Sequence, residues 1–314
     1  SGPGLIDTID DTYDLFVTIF NINNGGEVLP MQKLITLDTR LNYSLTFLGS
    51  TFITKTDLQV AVDLWTSDPA TATNTYGSIN EWNVSAITDM SDLFQNKTTF
   101  NDDISNWDTS SVLNMQNMFD GATAFNQDIN TKVINEGLQN EYTAWDTSKV
   151  ENMMSMFKNA ANFNQNIGSW DTSKVENMQN MLYHALAFNN GDADGESNNP
   201  LNWNTSQVTN MTNMFKANYV FNQDIGNWDT SEVLSMQNMF YSAERFNQDI
   251  GSWNTSKVEN TAAMFKYAYV FNNGDVDGEY NKPLNWDTSS INNMTSMFVR
   301  ANVFNQEIGN WDTE

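Results

Sequence analysis

Two acidic stretches carry the residue types and spacing of a cation site. In FNNGDADGESNNPLNW, which begins at Phe188, Asn190, Asp192 and Asp194 alternate and Gly195 follows; in FNNGDVDGEYNKPLNW, which begins at Phe271, Asn273, Asp275, Asp277 and Gly278 repeat the pattern. These residues fill the first, third, fifth and sixth places of a D-x-[DN]-x-[DN]-G loop, in which oxygen ligands on a tightly turned backbone hold calcium. Glu196 and Glu279 fall in the seventh place, where a backbone carbonyl normally serves. The twelfth place is Leu201 or Leu284, so the bidentate Glu of an EF-hand is absent. The expectation is therefore two weak calcium loops, with affinity on the order of 10⁻⁴ to 10⁻³ M as in extracellular modules. The alternative is a solvated Asn/Asp/Gly turn.

Other chemistry has little to work with. There is no cysteine and a single histidine, His184, which removes thiolate metal sites and disulfides and leaves a histidine without an obvious partner. Paired carboxylates could hydrolyse glycosides, but acids such as Asp128, Asp224 and Asp249 recur as ladders, whereas an active site is one asymmetric constellation. No catalytic residue is assigned and the chain is expected not to be an enzyme. Met pairs such as Met115/Met118 and Met178/Met181 share a stripe with Val and Phe and read as core rather than as soft-metal ligands. With 39 Asp+Glu against 14 Lys+Arg, a formal charge of −25, nucleic acid and anionic membrane surfaces are unfavoured partners. No apolar run approaches the roughly 20 residues of a membrane span.

The elements that must position these loops are repeats. Tryptophans at 82, 107, 145, 170, 203, 228, 253, 286 and 311 recur at intervals of 25, 38, 25, 33, 25, 25, 33 and 25. The two intervals of 33 hold the acidic stretches. Within SKVENMQNML, Val175, Met178, Met181, Leu182 and then Ala185 fall on one helical stripe, and Ser173 with Glu176 forms a capping box repeated by Ser148/Glu151 and Ser256/Glu259. The spacing predicts a short helix there, with the Thr column, Thr172 among it, beside the cap. FNQDIGNW predicts a brief strand and turn. Units this small must stack to bury their apolar stripe. The fold class expected is thus an α/β repeat solenoid, LRR-like, with one short strand and one short helix per 25-residue coil. Phe125, Phe163, Phe188, Phe221, Phe246, Phe271 and Phe304 are expected to stack, with a parallel ladder of asparagines following them.

Residues 1–55 do not repeat; YDLFVTIFNI and LITLDTRLNYSLTFL are rich in β-branched and aromatic residues and predict a small β-rich domain or cap. Residues 56–77 form a capping helix and lead-in, with Leu58, Ala61, Val62 and Trp65 on one face and Thr56/Gln59 as a capping box. Residues 78–314 make the array of about nine units, with insertions near 131–143, 190–200 and 273–283. The sequence stops in mid-unit at WDTE.

The recurring WDTS-x-V-x-NM-x-x-MF followed by A-x-x-FNQDI resembles the BspA-like leucine-rich-repeat surface proteins over roughly residues 78–314. The resemblance implies a secreted or cell-surface, non-enzymatic protein, often linked to adhesion. The function expected is an interaction module with calcium-braced loops that binds glycan, matrix or a surface protein. The alternative is a structural subunit that stacks on copies of itself end to end, forming a filament or layer through open strand edges.

Overall fold

The computed structural model describes the backbone of residues 13–22, 28–37 and 46–47, and residues 49–193, 199–276, 278 and 280–312. Strands β1 (Tyr13–Ile22) and β2 (Val28–Leu37) pair antiparallel from Tyr13↔Leu37 to Ile22↔Val28, and β3 (Thr46–Phe47) joins β2.

Helix α1 (Lys55–Ser67) starts where Thr54 accepts the Asp57 N–H at 3.2 Å. Its cap is thus Thr54 with Asp57, two residues before the expected Thr56/Gln59 box, and Asp57 also receives the Thr54 hydroxyl at 2.6 Å. Leu58, Ala61 and Val62 are fully buried. The helix is fastened to the first unit by Lys55–Asp89 and Lys97–Asp63 ion pairs, by Gln59 donating to the Leu93 carbonyl and by the Trp65 indole donating to Asp102. Asp68 ends α1 and caps α2 (Pro69–Tyr76), whose Pro69 suits a first helical turn that has no use for its N–H.

From Trp82 onward the units stack in parallel. Isolated bridges run Asp89↔Asn114↔Asn152↔Asn177↔Asn210↔Ser235↔Asn260↔Asn293. Around each bridge, alternate N–H groups reach the next unit: Met178, Asn180, Leu182 and His184 donate to the carbonyls of Asn210, Thr212, Met214 and Lys216. The intervening Met181, Tyr183 and Ala185 donate back to the residue three before them. Every backbone donor of this stretch is satisfied, half between units and half within them, as a buried backbone requires.

This is where the structure departs from the expected helix. Among the described residues after the 3₁₀ turn Ile79–Glu81, no unit contains a helix. The stripe Val175, Met178, Met181, Leu182 and Ala185 is fully buried as expected, yet it is carried by serial turns. Asn180 (φ 56°) and His184 (φ 58°) are left-handed, and the same two positions are left-handed in the other units, for example Asn213 with Ala217 and Asn238 with Ser242. A left-handed residue breaks a helix, and a chain of i→i−3 turns buries the same i, i+3 positions. The strand contact also falls in this half of the unit, not in FNQDIGNW.

The core is a set of aromatic columns. Phe163, Phe188, Phe221, Phe246 and Phe271 stack with ring centroids 5.8–6.1 Å apart. A second Phe, such as Phe215 or Phe240, lies about 4.0 Å from the first within its unit, and Leu182 takes that place beside Phe188. The indoles form a third column, Trp228 lying 6.4 Å from Trp253, and from Trp107 onward each donates Nε1–H to a carbonyl of an earlier unit, as Trp203 does to Ile167 at 2.9 Å.

The polar columns are also fasteners. Asn164, Asn189, Asn222 and Asn247 each accept, through Oδ1, the N–H of the corresponding Asn of the next unit at 2.8–2.9 Å. Thr172 and its counterparts are buried and donate to a carbonyl of the next unit, Thr172 to Asn204 at 2.9 Å and Thr205 to Asp229 at 2.8 Å. They are not helix caps. The insertion near 131–143 is a hairpin of β4 (Lys132–Ile134) and β5 (Tyr142–Ala144).

Candidate functional site

The acidic insertions start from a backbone that must turn sharply. Asn190 and Gly191 are both left-handed (φ 53° and 82°), as are Asn273 and Gly274 (φ 52° and 77°). A Cβ at Gly191 would stand 3.1 Å from the Asn166 backbone nitrogen, so glycine serves here for both space and conformation. The glycine N–H donates to the Asn164 side chain of the preceding unit, and Gly274 does the same to Asn247.

The side chains then close a clasp, built identically twice. Asn190 is fully buried, accepts the Ile167 N–H at 2.8 Å and donates to the Asn199 carbonyl at 2.7 Å. Asn273 accepts from Ile250 and donates to the Lys282 carbonyl, both at 2.8 Å. Asp192 accepts from Asn189 at 3.1 Å and from Gln223 at 3.2 Å, while the same Gln223 accepts the Asn199 N–H at 2.6 Å. In the second copy Asp275 accepts from Asn272 and Gln306, and Gln306 accepts the Lys282 N–H at 2.7 Å. Asp275 additionally holds the Gly278 N–H at 2.9 Å.

Of the eight residues expected to ligate calcium, Asn190 and Asn273 therefore spend their carboxamides on backbone groups, and Asp192 and Asp275 lie at the buried base of the loop. Asp194, Glu196, Asp277 and Glu279 lie outside the described residues. Among the described residues no three His, Asp or Glu side chains converge. Sequence reading missed Gln223 and Gln306; the signal available was that each follows an acidic insertion by one unit in the same FNQ motif.

A recess of about 290 Å³ opens beside the first insertion, lined by Pro200, Trp203, Asp224 and Trp228 among others. Among the described residues Asp224 is the only titratable group in its wall. The WDTS carboxylates serve the turns instead. Hydrogen bonds from the Ser173 hydroxyl and N–H hold the Asp171 carboxyl below its ordinary range, and Ser231 and Ser289 act likewise on Asp229 and Asp287. His184, expected to have no partner, places Nδ1 3.3 Å from the Asn159 side-chain oxygen.

A second surface feature comes from the residue that follows each Met-Phe or Met-Leu pair. Between Asp120 and Val299, which hold this place in the outer units, it is Lys158, Tyr183, Lys216, Tyr241 and Lys266 in five successive units, all half-buried. The Lys216 ammonium lies 5.6 Å from the Tyr183 ring centre and 5.0 Å from that of Tyr241; Lys266 lies 5.7 Å from Tyr241 and 5.4 Å from Tyr267. In the following unit the column position is Val299, and Arg300, one residue further on like Tyr267, lies 5.7 Å from the Tyr267 ring centre. Such contacts are each worth about 0.5–1 kcal/mol at an exposed site, enough to hold a lysine in place. The alternation was visible in the sequence but not recognised, because its residues are one unit apart.

No helix of the described residues is long and apolar enough to cross a membrane. The family model described as "Mycoplasma protein of unknown function, DUF285" matches residues 66–190, 192–281 and 275–314. No curated protein and no solved structure matches the chain.

Proposed function

The chain belongs to this family of repeat proteins of unknown function, and from that premise we propose that it is a non-enzymatic, BspA-like solenoid of the cell surface or secreted milieu. Its work is binding: a glycan, a matrix component or a surface protein lies along the outward columns. The observation that carries the reading is the unit-to-unit register. Because Asn152, Asn177, Asn210, Ser235, Asn260 and Asn293 bridge in sequence, each outward position recurs at the strand spacing of about 4.8 Å. That gives a partner many equivalent contacts. The repeated use of acids and hydroxyls as fasteners supports a scaffold rather than a catalyst.

Calcium belongs to the same reading, with a smaller ligand set than the sequence alone suggested. Asn190 and Asn273 hold the clasp, and the cation is taken by the carboxylates of Asp192, Asp194 and Glu196, and of Asp275, Asp277 and Glu279. Its role is to neutralise the acidic loops of a chain whose net charge is −25, with weak affinity as in extracellular modules.

The test is biolayer interferometry of the immobilised chain against purified polysaccharides and matrix proteins. Saturable binding to at least one is expected. Absence of saturable binding across the panel, together with long assemblies in sedimentation velocity, would replace the binding module by a self-assembling subunit.

A further inference from the structure

Resting on that reading of a binding surface, we infer that the Lys/Tyr column is the docking stripe for a linear acidic polysaccharide bearing a carboxylate on every second sugar. The first ground is charge segregation. Segments 152–163, 177–188, 210–221, 235–246, 260–271 and 293–304 hold five cations (Lys158, Lys216, Arg245, Lys266 and Arg300) and one carboxylate, Glu244. The acids of the same units fall in other columns. At physiological ionic strength, charges more than about 8 Å apart are largely screened, so a ligand on the stripe meets its local cations before the net charge of the chain.

The second ground is availability. Lys158 is paired with Asp120 at 3.3 Å and closes one end of the stripe. Among the described residues Lys216, Lys266 and Arg300 make no ion pair, while Lys55, Lys97, Lys257 and Lys282 do. The flanking tyrosine rings hold these cations in position, which lowers the ordering cost of binding.

The third ground is spacing. Lys216 and Lys266 stand two units apart, roughly 10 Å at the strand spacing, which is the length of a disaccharide in an extended β-linked chain. Two uronates on alternate sugars meet Lys216 and Lys266, and the hydroxyl of Tyr241 between them faces the intervening sugar. A neutral glycan would leave the cations unused, and a nucleic-acid strand, with a charge on every residue, would leave most of its charges unmatched.

The experiment is titration of the full chain with hyaluronan, hydroxyethyl cellulose, single-stranded DNA and gelatin at 150 mM salt, read by calorimetry. Hyaluronan is expected to bind, more weakly as salt rises. The Lys216→Ala/Lys266→Ala pair should weaken it at least roughly tenfold. Lys216→Arg/Lys266→Arg should retain binding, and so should Lys149→Ala/Lys174→Ala, two exposed cations outside the column. Unchanged thermal melts keep loss of binding distinct from loss of fold. Binding to cellulose or gelatin without hyaluronan overturns this inference and leaves the binding module standing; equal binding to DNA overturns the uronate spacing. Self-association through the stripe, abolished by the same lysine variants, overturns it in favour of a second copy of the chain. No binding to any probe overturns both readings.

Discussion

The Gln223 side-chain amide donates to the Asp192 carboxylate at 3.2 Å across 31 residues of sequence, and Gln306 repeats the contact on Asp275 at 3.2 Å across the same separation. Each glutamine also accepts a backbone N–H from the far side of its insertion. One side chain thus ties both ends of an acidic loop to the following unit. Gln223→Ala withdraws a donor from a buried carboxylate and an acceptor from a backbone N–H, and should cost about 1–3 kcal/mol. Amide hydrogen exchange at Asn199 should quicken while units beyond Trp253 keep their protection; unchanged exchange at Asn199 would show that the clasp is idle.

Calcium should raise the melting temperature only at millimolar concentration. Asp192→Asn/Asp194→Asn and Asp275→Asn/Asp277→Asn should each diminish that rise. A shift of the same size in the wild type and in both variants would place the effect elsewhere.

The left-handed asparagines can be separated from their hydrogen bonds. Asn238 (φ 54°) donates to Asn213 at 3.0 Å. Asn238→Val should cost about 1–2 kcal/mol in backbone strain beyond the lost bond, whereas Asn238→Gly loses the bond alone. Urea unfolding should rank Gly above Val in stability, and the opposite order would contradict the turn geometry.

Core columns should be unequal in tolerance. Phe221→Ala removes a fully buried ring stacked on both neighbours and should cost about 3–5 kcal/mol. Met181→Leu conserves volume at a fully buried site and should cost less than about 1.5 kcal/mol. Comparable losses in the two variants would mean that the stacking is not what holds the units.

Acid should loosen the array. Ser173, Ser231 and Ser289 stabilise the ionised carboxyls of Asp171, Asp229 and Asp287, lowering their folded pKa values. Their contribution is complete above the unfolded carboxylate value of about 3.9 and is lost as pH falls through the lower folded values. The melting temperature should therefore drop in that window. Replacing all three by Asn, which already occupies the position at Asn204 and Asn254, should flatten the drop; an unaltered acid slope would assign it to other groups.

Much of the organisation was legible because it depends on composition at fixed spacing. The tryptophan intervals gave the units and the insertions. The Phe column followed from identical positions in successive repeats. The apolar stripe at Val175, Met178, Met181 and Leu182 was legible as core for the same reason. Its backbone was not, since helices and serial i→i−3 turns bury the same positions. The recurring second Asn of NM-x-NM was the clue, being a poor helix interior residue and a tolerant left-handed one.

The apolar core positions, the length of each unit and the places where acid accumulates follow from local residue type and period, so they stand in the sequence. What those groups do was set by the packing of one unit on the next. Whether the Asn190 amide meets a cation or a carbonyl depends on Ile167 and Asn199, and whether Lys216 is paired or poised depends on Tyr183 and Tyr241 in the adjoining units. Those neighbours are set by hydrogen bonds between units, and a partner one unit away in space is 23 or more residues away in the chain, as Ile167 is from Asn190.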